Sequence, residues 1–178
     1  MGFANEYLAV VLKQFREIKQ TGERAMAQCS FSELQRKIGK ESNSIAVIVK
    51  HLHGNMLSRW TDFLTTDGEK TWRNRDDEFR DGYKNLEALM ADWENGWEAV
   101  FAALSSLTEE DLSKTVTIRG EKHSVIQAIE RQIYHYSYHI GQIVFIAKSI
   151  KDDDWASLTI PKGKSEEFNR QMQKEEQD

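Results

Sequence analysis

His135 and His139 lie four residues apart in IYHYSYHIGQIVFIAK, residues 133–148, a stretch otherwise mostly apolar and aromatic. Residues four apart on a helix are neighbours with Cβ atoms about 6 Å apart, so both imidazoles can reach one ion. At about 100° per residue they fall with Gln142 on one edge of the apolar stripe Ile129, Ile133, Tyr136, Ile140 and Val144. The same arithmetic puts His51 off the stripe of its own helix, beside Asn55 and Ser58. Imidazoles offered from similar flanks of two helices fit a divalent-metal site in a pocket between them. Taken alone, the spacing fits hydrogen-bonded core histidines equally well.

These side chains need long helices to hold them, and the apolar periodicity supplies four. The first spans about Asn5 to Ala27 (Leu8, Val11, Leu12, Phe15, Ile18), and a brief turn capped by Ser32 follows it. The second starts at Asn43 or Ser44, both good N-caps, and reaches about Leu64. TTDGEKTWRNRDDEFRDG then reads as a long polar loop. The third helix carries Leu86, Leu89, Met90, Trp93, Trp97, Val100, Phe101 and Leu104, and a turn capped by Thr108 and Asp111 follows. TVTIRGEKHS alternates around Arg-Gly and predicts a short hairpin before the fourth helix, Ser124 to Ser149. Four amphipathic helices satisfy their stripes by packing together, so the fold class is all-α, a four-helix bundle. Residues 1–160 form the bundle, and 161–178 read as a polar tail, helical or partly disordered. From Ile140 to Ala147 only Gln142 is polar, which predicts a second buried face and a homodimer.

Composition narrows the function classes. A net charge of −5 and the lack of a basic run with interleaved aromatics argue against nucleic acid. No segment approaches the roughly 20 apolar residues of a membrane span. The charged N-terminal stretch has no apolar signal region, and the single cysteine, Cys29, excludes an internal disulfide, so a cytoplasmic protein is expected. Nucleophile elbows, phosphate loops and dinucleotide fingerprints are missing, and Cys29 has no activating neighbour in sequence. No catalytic side chain is therefore assigned, and any chemistry must run through the metal.

The histidine within VKHLHGNM and the H-x-x-x-H followed by Gly-Gln in the last helix together resemble the DinB-like superfamily of four-helix bundles. The loop RNRDDEF and the segment DDDWASLTIPKGKSEEFN resemble one bacterial branch, related to bacillithiol S-transferases, so the likeness covers nearly the whole chain. The resemblance implies that His51, His135 and His139 bind a divalent metal, zinc or nickel. His53 and His123 do not match the motif, and His53 points about 160° away from His51 on its helix. Asn55, Arg59 and Gln142 are the candidate substrate-binding residues flanking the ligands. Of Tyr134, Tyr136 and Tyr138, only Tyr136 falls on the core side, and the loop Trp72 to Phe79 is expected either to hold an anion or to pin itself by salt bridges.

By the same resemblance the expected activity is metal-dependent S-transfer of a small thiol cosubstrate. The alternatives are a metal-dependent hydrolase, for which the sequence around His51 offers no general base, and a dimeric metal-binding protein without turnover. A purely structural site wants a fourth protein ligand, which the sequence does not obviously supply.

Overall fold

Side-chain caps set where the long helices begin. Ser44 Oγ accepts the Val47 N–H at 3.2 Å, and Asn85 Oδ1 accepts that of Ala88 at 2.9 Å. Ser124 and Gln127 form a reciprocal capping box. Each satisfies a backbone donor that a helix start leaves unpaired. The computed structural model describes residues 2–80 and 82–175. Its elements run α1 (Phe3–Met26), α2 (Phe31–Leu34), α3 (Ile45–Trp60), α4 (Leu86–Ser105), β1 (Thr115–Ile118), β2 (Glu121–Ser124), α5 (Val125–Lys151) and α6 (Ser165–Glu175).

The long helices close into a four-helix bundle: α3 packs on α4, α1 on α5, and α3–α5 and α1–α4 contacts complete the ring. Each contributes one aromatic side chain to the centre. Phe15 of α1 meets Trp60 of α3 edge-on at 5.9 Å, and Trp97 of α4 meets Tyr136 of α5 at 5.7 Å. All four are buried, and edge-to-face pairs add about 1 kcal/mol each beyond their burial. The polar ends of two of these rings are satisfied: Trp60 Nε1 donates to the Tyr136 hydroxyl at 2.9 Å, which donates to Asn55 Oδ1 at 3.2 Å. That chain of bonds fixes α5 against α3. At the α3–α4 contact, a Cβ on Gly96 would lie 2.9 Å from Met56 Sδ and 3.3 Å from His53 Cα, so a larger residue would force Met56 to shift.

The structure corrects three boundaries. α3 stops at Trp60, short of Leu64, because Thr61 is extended and Asp62 takes a left-handed φ of 50°. The Asp62 carbonyl there accepts the N–H groups of Thr65 and Thr66. Ser30, not Ser32, caps the turn after α1, in a capping box with Glu33 that yields the one-turn α2. The polar segment after α3 is not featureless: Asp76–Phe79 form a 3₁₀ turn.

The hairpin is present, with Ile118 opposite Glu121 and left-handed Arg119 and Gly120 at its tip. α6 lies in the segment read as a polar tail, of which residues 176–178 fall outside those described. The chain itself absorbs much of the apolar girth of α5: Ile143, Ile146 and Ala147 are buried, whereas Phe145 remains 63% exposed. Among the described residues, no helix is long and apolar enough to cross a membrane.

Candidate metal centre

His51 on α3 and His135 and His139 on α5 converge on one point. The Nε2 atoms of His51 and His135 are 3.4 Å apart, and those of His135 and His139 are 3.1 Å apart. One ligand atom from each of the three histidines lies within 4.8 Å of the other two. Donors about 2.1 Å from a tetrahedral zinc stand about 3.4 Å from one another, so the spacing suits one divalent ion. Among the described residues no other group of three histidine, cysteine or acidic side chains is so arranged.

Outer hydrogen bonds decide which nitrogens face inward. His51 Nδ1 lies 2.9 Å from Glu78 Oε2, and His139 Nδ1 lies 2.8 Å from Gln142 Oε1. A carboxylate and an amide oxygen only accept, so each Nδ1 carries the proton and each Nε2 presents a lone pair to the cluster. Burial, followed by the neighbouring imidazoles, Arg59 and Arg73, pushes His135 down to about 3. Burial, then His51, pushes His139 down to about 4 against the opposing Gln142 bond. Both rings are therefore neutral at physiological pH, the form that binds a metal.

Glu78 is the part of the site that sequence reasoning missed. It is buried at 5% exposure and is clamped by Arg73, whose Nε and Nη2 donate to its two oxygens at 2.7 and 2.9 Å. Burial raises its pKa, but the His51 bond and Arg73 outweigh that and hold the carboxyl below its usual range. Gly54, one turn after His51, makes room for it: a Cβ there would lie 2.8 Å from Glu78 Cδ.

The loop that delivers Glu78 is anchored in turn. Asp67 Oδ1 accepts the N–H groups of Glu69 and Arg119, and Oδ2 accepts that of Gly120. Ser58 on α3 bonds both Gly68 O and Lys70 N–H. Hairpin and α3 together thus fix the loop over the histidines. Of the two roles expected for Trp72 to Phe79, the salt-bridge one is visible in Arg73.

A pocket of about 550 Å³ opens beside the cluster, and Asn55, Arg59 and Gln142 all line it. Gln142 is engaged with His139 and Asn55 with Tyr136. Arg59 is buried and pairs with Glu69 at 3.1 Å. An adjoining hollow of about 430 Å³ shares Asn43, Tyr138 and Gln142 and is walled by Ile38, Ile48 and Phe145. Tyr134 and Tyr138 are exposed, whereas Tyr136 is fully buried.

The two histidines outside the motif stay outside the cluster. His53 bridges to α4 through Asn95 at 2.9 Å and Asp92 at 3.4 Å, and His123 on β2 sits 3.6 Å from Glu121. Cys29 is buried, and burial raises its thiol pKa.

No curated protein and no solved structure matches the chain. A family model described as "protein of unknown function (DUF1572)" matches residues 2–164, nearly the whole chain. By that extent of match, the chain belongs to the DUF1572 family.

Proposed function

We propose that this chain is a divalent-metal-binding protein of the DinB-like type that transfers a small thiol to an electrophile. The observation that carries the reading is the convergence of three imidazole Nε2 atoms beside an open pocket. Three protein donors leave room for an exogenous one, as catalytic sites do and structural sites do not. A bound zinc or nickel ion would lower the pKa of a thiol there. His51, His135 and His139 would hold the ion, with Glu78 and Gln142 keeping two of their imidazoles oriented. The sulfur then forms a bond to the electrophilic carbon, the leaving group departs with its electron pair, and the thiol proton passes to solvent.

The hydrolase reading wants a free general base, but Glu78 is already committed to His51 and Arg73. The exposed Phe145 and Tyr138 on α5 support our proposal of a homodimer through that face. A lone buried thiol fits a cytoplasmic setting.

The test is metal analysis of the purified protein, followed by loss of free thiol against an alkylating electrophile with the uncatalysed rate subtracted. Consumption should require the ion and the added thiol, and should survive Cys29→Ser. No acceleration by the metal-loaded protein with any small thiol would remove the transferase reading.

A further inference from the structure

Half of the chain's ten arginines line the pocket beside the histidines: Arg59, Arg73, Arg75, Arg119 and Arg131. Among the described residues no lysine and no acidic residue lines it, in a chain whose net charge is −5. Two carboxylates behind the wall serve three of the five. Glu69 Oε2 takes Arg59, Arg119 and Arg73 at 3.1, 3.0 and 3.5 Å, and Glu78 takes Arg73 again.

Arg75 instead lies over the Phe79 ring at 5.0 Å. Among the described residues neither it nor Arg131 has a carboxylate within salt-bridge distance. Two buried polar groups in the same wall also lack partners. Gln132 is 3% exposed and its Oε1 meets no donor, and Arg59 is 5% exposed with an Nε that meets no acceptor. Buried polar atoms are nearly always paired, so these two leave unmet hydrogen-bonding capacity behind the pocket wall.

We infer that this pocket recognises a small molecule carrying an anionic oxygen group, a carboxylate or a phosphate, read by Arg75 and Arg131. Guanidinium forks match both groups with two parallel hydrogen bonds, which explains arginine rather than lysine throughout. This deepens the proposed thiol transfer by assigning the class of its cosubstrate, and its catalytic meaning rests on that reading. The binding itself does not.

The test titrates succinate and inorganic phosphate separately, by calorimetry, into the full-length protein as purified and after chelation of its metal. At least one anion should bind in both forms, and the tighter of the two names the group recognised. The double variant Arg75→Gln/Arg131→Gln, altered at two exposed positions, should bind that anion at least about tenfold more weakly. Its zinc affinity should match the wild type. Failure of both anions to bind, or equal binding by the double variant, overturns the inference. If an anion binds as expected while no thiol is consumed, the transfer reading fails and the anion site stands.

Discussion

Glu78 Oε2 lies 2.9 Å from His51 Nδ1, joining residues 27 positions apart. The carboxylate fixes the tautomer of the imidazole and its aim, and Arg73 fixes the carboxylate. Removing its charge should leave the fold and weaken the metal. Glu78→Gln is expected to lower zinc affinity about 10- to 100-fold, read by competition with a chromogenic chelator. Unchanged affinity would show that Glu78 serves only to hold the loop.

Gly54→Ala reaches the same carboxylate from the helix that carries His51. The added methyl would sit 2.8 Å from Glu78 Cδ, so the side chain must swing off His51. Zinc affinity should fall in the same direction as for Glu78→Gln. Because both changes break one interaction, the double variant should be little worse than the poorer single one. Additive losses would mean that Gly54 acts elsewhere.

The depressed histidines make the metal-free protein sensitive to acid. An unfolded chain protonates these rings near their ordinary value of about 6.5, whereas the folded state holds His135 at about 3 and His139 at about 4. Between those limits the unfolded chain binds more protons, so stability rises with pH through that window. Their contribution is fully present above about 6.5 and is lost as the pH falls towards the folded values. Urea midpoints of the metal-free protein should therefore be lower near pH 5 than near pH 7, and His135→Asn should flatten the difference. A wild-type midpoint that does not move across the window would contradict the burial of these rings.

The bundle was legible because its signals are local. Stripes on α4 and α5, the caps at Ser44 and Ser124, and the alternation around Arg119-Gly120 each sit within a few residues of the element they define. The spacing of His135 and His139 and the flank position of His51 are local too, but they fit a core equally well, and it is the family resemblance that singles out the three as one ligand set. Ser30 and Glu33 also carried a readable capping-box signal, which the neighbouring Ser32 obscured. The end of α3 was harder to read, because Phe63 and Leu64 continue an apolar pattern that the left-handed Asp62 interrupts. Glu78 had no local signal: it lies in a polar segment without periodicity and reaches His51 because Asp67 and Ser58 fold that segment back. The arginine-lined pocket likewise gathers residues from α3, the loop, the hairpin and α5.

If His51, His135 and His139 together hold one divalent ion, each of them is needed to retain it. The most direct measurement is metal content per chain, by mass spectrometry of the native protein, for the wild type and for His51→Ala, His135→Ala and His139→Ala. One ion per wild-type chain is expected after zinc or nickel loading and desalting, and its loss from each variant, because two imidazoles remain where three converged. A wild-type chain that retains no ion, or a His135→Ala chain that retains a full equivalent, would contradict it.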